Sequence, residues 1–96
     1  MEDFTPLKVL TGDTHISHSL GATALTLSIP LHAGSVMMQA LTQNIRYTLD
    51  GTTPTASLGF QLKAGDAPIL FKLTSKMTLK FFREVSGAVL EYEYGE

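Results

Sequence analysis

The sequence predicts an all-β chain of 96 residues, folded as one small β-sandwich or jelly roll of about eight short antiparallel strands. Three observations carry this. The apolar residues recur with a period of two, which places successive side chains on opposite faces of a strand. Helical spacing is scarce. Glycine, proline, aspartate or serine interrupts the pattern about every ten residues, the rhythm of short strands joined by turns. A chain of this length buries roughly 60 to 70% of its unfolded surface, enough for one core, so residues 1–96 form a single domain in which 1–20 are either an arm or peripheral strands.

The elements follow in order. Residues 7–10 and 16–20 are short strands divided by the turn-forming Thr11-Gly12-Asp13. Leu25, Leu27 and Ile29 alternate with Thr26 and Ser28 until Pro30, which has no N–H to give to a ladder, ends the strand. Gly34 closes a loop after Leu31-His32-Ala33. Residues 35–41, with Val36, Met37, Met38 and Ala40, fit a buried strand or a short helix; the length and the β-rich neighbours favour a strand, although methionine and alanine are better helix formers. Ile45, Tyr47 and Leu49 alternate with Arg46 and Thr48, and Asp50-Gly51 ends the run with a turn signal, followed by threonines and Pro54 that hold an extended exit. Phe60 and Leu62 begin another strand, stopped by Ala64-Gly65-Asp66, and 69–73 resume after Pro68. Leu79 and Phe81 share one face of the next run, with Lys80 and Phe82 on the other. After the turn at Ser86-Gly87, Leu90, Tyr92 and Tyr94 alternate with Glu91 and Glu93 in the half-buried pattern.

Composition narrows the function. Hydrophobic residues make up 44% of the chain and charged residues 17%, against about 25% in ordinary soluble domains. Some neutral or apolar surface is therefore expected to be covered by partners. Seven basic residues face nine acidic ones, so no strong field attracts phosphate backbones or anionic lipid, and neither nucleic acid nor membrane is an expected partner. Cysteine is absent, which removes disulfides, thiolate ligands and thiol nucleophiles. The stretch Met1-Glu2-Asp3-Phe4 lacks the features of a secretory leader, and no run reaches the 18 or so apolar residues of a membrane helix.

Candidate chemistry is thin. His15 and His18 lie three apart and fall on opposite faces of a strand, so they converge on a metal only if that segment is helical or looped, and with His32 they read as ordinary polar positions near the surface. Glu91 and Glu93 share a face and form the carboxylate pair that glycoside hydrolysis needs at minimum. An alternating edge offers them water rather than the burial that raises a catalytic pKa, so they read as a solvated face. Asp13, Asp50 and Asp66 each adjoin glycine, where an aspartate defines a turn. No Gly-x-Ser-x-Gly elbow and no phosphate-binding glycine loop occurs. The expectation is a non-enzyme with no catalytic, cofactor or metal residues. The aromatic residues Tyr47, Tyr92, Tyr94, Phe60, Phe71, Phe81 and Phe82 are able in principle to stack on sugar rings, but most fall at core-facing positions of strands. Phe82, which faces away from Phe81, is the candidate for a subunit contact.

Residues 45–55, with Gly59, Leu62, Gly65-Asp66, Phe81 and Val85-Ser86-Gly87-Ala88 before Leu90, Tyr92 and Tyr94, resemble small virion-associated proteins of tailed bacteriophages; the likeness spans about 24–94. Such proteins are short β-rich components of heads and tails. The stretch Tyr47-Thr48-Leu49-Asp50-Gly51-Thr52-Thr53-Pro54-Thr55 also resembles the strand and turn of immunoglobulin-like accessory modules at the ends of chitobiase- and hexosaminidase-type enzymes. The first resemblance implies a virion protein assembled in the host cytoplasm, a capsid decoration or cement protein bracing capsomers through contacts with the major capsid protein. A homo-oligomer is expected, a trimer at three-fold positions, with residues 1–10 reaching a neighbour through Phe4 and Leu7. A tail, neck or fibre-attachment protein is the alternative within that class, and the second resemblance implies a carbohydrate-binding module.

Overall fold

The computed structural model describes residues 15–30, 33–74 and 76–95. The expected strand at 7–10, the turn at 11–13, the anchors Phe4 and Leu7, and His32 lie outside the described residues. The described chain contains eight strands and no helix: β1 (His15–Ser19), β2 (Leu25–Thr26), β3 (Ser35–Ala40), β4 (Ile45–Thr48), β5 (Phe60–Leu62), β6 (Ile69–Lys72), β7 (Lys80–Arg83) and β8 (Val89–Gly95).

They form two four-stranded sheets, ordered β1-β8-β3-β6 and β2-β7-β4-β5, with every neighbouring pair antiparallel. Only β4 and β5 are consecutive in the chain and paired in one sheet. Every other connection passes to the opposite sheet, so the two layers are interleaved along the sequence. The fold is the all-β sandwich expected.

Alternation sets the core. In the first sheet Val36, Met38 and Ala40 of β3 and Leu90, Tyr92 and Tyr94 of β8 point inward; in the second, Ile45 and Tyr47 of β4, Leu62 of β5 and Phe81 of β7 meet them. Each large side chain so buried contributes about 1.5 to 3 kcal/mol. The ambiguous segment at 35–40 is a strand because β8 and β6 bond it on both edges, and that pairing overrides the helix preference of its methionines.

Two strands differ from expectation. The ladder expected along residues 25–29 shortens to Leu25–Thr26, extended by one bond from the Leu27 amide to the Leu79 carbonyl (3.0 Å). Leu27 nonetheless stays buried, so the apolar alternation outlasts the pairing. Strand β8 is not an edge: it lies between β1 and β3, which places Glu91 and Glu93 on the outer face of a paired strand.

Candidate interaction site

The segment from Asp50 to Phe60 joins β4 to β5 and is held at each step. Asp50 Oδ1 accepts the Thr52 amide at 3.0 Å, and the Thr48 hydroxyl donates to the Thr52 carbonyl. The Thr52 amide, and after it the Thr52 hydroxyl, hold the Asp50 carboxyl below its ordinary pKa. Gly51 takes a φ of +88°, which suits glycine at the corner. Pro54 is fully buried and pins the loop to the core. Thr55 and Leu58 exchange two backbone bonds (3.1 and 3.3 Å), and the Thr55 hydroxyl accepts from the Ser57 and Leu58 amides. The turn signal at Asp50, Gly51 and Pro54 is therefore a structural clasp.

Past this clasp the chain presses on its own sheet. Gly59, with φ +125°, lies against the Tyr47 backbone, and Arg46 Nη1 donates to the Gly59 carbonyl at 3.0 Å. Arg46 Nε also donates to Glu84 Oε2 at 2.6 Å, and Gln61 Nε2 reaches the same oxygen at 2.7 Å. Burial pushes the Glu84 carboxyl up, but the bonds from Gln61 and Arg46 and the Arg46 charge outweigh it and hold the pKa below the usual range.

This anchoring presents two apolar side chains to solvent. Leu58 is 50% and Phe60 63% exposed, and both line an open cleft together with Asp50 and Thr52. Phe60 is one of the aromatic residues of which most are expected to face the core. It does share the inward face with its partner Tyr47, 5.5 Å away between ring centroids, but β5 is the outermost strand of its sheet and leaves the ring open to solvent. Tyr47 continues the aromatic contact inward to Phe71 and Phe81 at 5.6 and 6.2 Å. Phe81 is wholly buried, whereas Phe82 is half-buried on the outer face beside Arg46.

On the outer face of the other sheet, His15 sits between the two glutamates. Its Nδ1 lies 2.8 Å from Glu93 Oε1 and its Nε2 2.7 Å from Glu91 Oε1. Each nitrogen addresses a different carboxylate, and among the described residues no group of three His, Asp or Glu side chains is arranged to hold a metal. His18 points to the opposite face, as its spacing requires. Asp66 offers its carbonyl to Gln39 Nε2 at 3.2 Å, consistent with a turn role.

Sequence reasoning missed the His15 cluster because its members lie more than seventy positions apart and meet only through the β1–β8 register. The expected strand at 16–20 and the outward glutamates contained the signal, but nothing local paired them.

Two interleaved antiparallel sheets with a clasped turn define a small β-sandwich module. The model of the Fn3-associated family matches residues 36–88, more than half of the chain, and the chain belongs to that family. The match runs from β3 to the residue before β8 and contains the whole clasp. It links the chain to immunoglobulin- and fibronectin-like modules, in keeping with the second of its two resemblances. No curated protein and no solved structure matches it.

Proposed function

We propose that the protein is a non-catalytic structural component of a bacteriophage particle, a capsid decoration or cement protein that braces capsomers by protein–protein contact. The observation that carries this is the exposed pair Leu58 and Phe60, held rigidly at the edge of a sandwich whose chain has little charge. A fixed aromatic beside an aliphatic side chain is the composition of an interface anchor. Each copy buries a modest area, and symmetric repetition, a trimer at three-fold positions, multiplies the weak contacts. Phe82 offers a second contact on the outer face of the same sheet. The resemblance to virion proteins supports the location, and the major capsid protein is the expected partner.

Electron microscopy of particles with and without the protein tests the assignment. Density lost from the capsid surface supports it; an unchanged capsid with density lost from the tail moves the protein to the tail, neck or fibre attachment. The doubly substituted Leu58→Ser, Phe60→Ser protein is expected to fold and to lose particle binding. Undiminished binding would remove this edge from the interface.

A carbohydrate-binding reading draws on the same cleft, because the exposed Phe60 lines it together with Asp50 and Thr52, an aromatic side chain beside polar groups of the kind sugars use. Titration of chito-oligosaccharides against wild type and Phe60→Ala decides it: saturable binding lost in the variant favours this reading over decoration.

A further inference from the structure

Among the described residues strand β1 forms one edge of its sheet and is bonded on a single side, to β8. Its first residue, His15, has both ring nitrogens within hydrogen-bond distance of carboxylate oxygens, Glu93 at 2.8 Å and Glu91 at 2.7 Å. A carboxylate oxygen only accepts, so each contact needs an N–H from the ring. Neutral imidazole has one N–H and sets a lone pair against the second carboxylate. The geometry is satisfied only by the imidazolium ion.

We infer that His15 is a proton-operated latch: as imidazolium it clips the start of β1 across Glu91 and Glu93 of β8, and loss of its proton frees this end of the strand. Among the described residues the surroundings add no competing charge. On β8 the facing groups are Glu91 and Glu93; on β3 the outward side chains are the neutral Met37 and Gln39; on β1 itself they are Ser17 and Ser19; the nearby loop brings Pro68. Lys72 lies on β6, at the far edge of the sheet.

The two hydrogen bonds, Glu91's first and Glu93's second, raise the His15 pKa above 6.5. The Glu91 carboxyl is held below its usual range, first by Ser17 and then by His15. The sign follows. A raised histidine pKa gives stabilisation that is complete below the unfolded value and is lost as pH rises through the folded one. A depressed carboxylate pKa gives stabilisation that is lost only as pH falls through it. The latch is therefore closed in mild acid and opens as pH rises through a folded-state value above 6.5, which makes the start of β1 responsive to pH.

Amide hydrogen exchange, corrected for intrinsic rates and read at pH 5.5 and pH 9, tests the device. His15 is 57% exposed, so the effect is modest, about a two- to fivefold faster opening of the β1 amides at the higher pH, with those between β3 and β6 unchanged. In His15→Gln, which keeps His18, this pH response should vanish. In Glu91→Gln, Glu93→Gln the His15 ring, followed by NMR, should titrate near its ordinary value of about 6.5. Equal β1 protection at both pH values in wild type, an intact pH response in His15→Gln, or an unmoved His15 titration in the double variant each overturns the latch.

Discussion

Replacing Gly59 by alanine should be among the most damaging single-methyl changes in this protein. The residue has φ +125°, a conformation that side chains rarely adopt, and the added Cβ would lie 2.9 Å from the Tyr47 carbonyl oxygen, 3.2 Å from the Tyr47 nitrogen and 3.3 Å from Arg46 Cβ. Two of these neighbours are backbone, so relief requires β5 to move away from β4. Strain at such a backbone conformation costs about 1 to 3 kcal/mol. Displacement also weakens the bond from the Arg46 guanidinium to the Gly59 carbonyl, worth about 1.5 kcal/mol for a charged donor. The sum is about 2.5 to 4.5 kcal/mol, a large part of the 5 to 15 kcal/mol that holds a typical domain together, and corresponds to a fall in Tm of about 10 °C or more. Two other glycines separate the contributions. Gly51 has φ +88° but its Cβ would meet Thr78 only at an ordinary 3.7 Å, so Gly51→Ala carries backbone strain alone, about 1 to 2 kcal/mol. Gly21 has neither constraint, and Gly21→Ala should fall within about 0.5 kcal/mol of wild type. Urea denaturation of the three variants gives the ranking directly. If Gly59→Ala unfolds within about 0.5 kcal/mol of Gly51→Ala, close approach to Tyr47 is not what demands glycine, and the argument fails.

Two further outcomes can be measured in solution. Burial first, and the neighbouring Tyr92 second, push the Tyr94 hydroxyl up to about 12, and its O–H donates to the Ser28 carbonyl at 3.4 Å. A raised tyrosine pKa stabilises the fold fully below the unfolded value of about 10 and loses that contribution as pH climbs through the folded one, so alkaline unfolding followed at the tyrosinate absorbance should begin above pH 10 and shift to higher pH in Tyr94→Phe. For Glu84, whose pKa is depressed, the stabilisation is present above the unfolded carboxyl value and is lost as pH falls through the folded one. Glu84→Gln should cost about 1 kcal/mol at pH 7 by chemical denaturation, with the gap to wild type closing at pH 3.

The strands with strict alternation and a marked end are legible in the sequence alone. Ile45 and Tyr47 before Asp50-Gly51, and Leu90, Tyr92 and Tyr94 against Glu91 and Glu93, report local geometry that every strand shares. The clasp is legible as well, since aspartate, glycine and proline act within a few positions of themselves. Sheet membership is not. Whether a strand lies at an edge depends on which distant segment pairs with it, and this single unknown accounts for three differences: Phe60 is exposed because β5 is outermost, Glu91 and Glu93 are flanked because β8 is interior, and His15 reaches them because β1 is the neighbour. Phe82 is legible as outward-facing from its adjacency to Phe81 but not as the cross-strand partner of Arg46.

The interior place of β8 bears on how the protein is made. The sheet of β2, β7, β4 and β5 has all its strands once the ribosome has passed Arg83, yet β1 and β3 must wait for the strand that separates them, and β1 was synthesised more than seventy residues earlier. Until then β3 is paired only on its β6 side and β1 lacks its described partner, so two strand edges stand open, a state prone to wrong pairing at cellular protein concentrations. Closure of this sheet is consequently a late, long-range event. Changes to residues 89–95 are expected to affect the yield of folded protein more than the particle binding of the molecules that do fold.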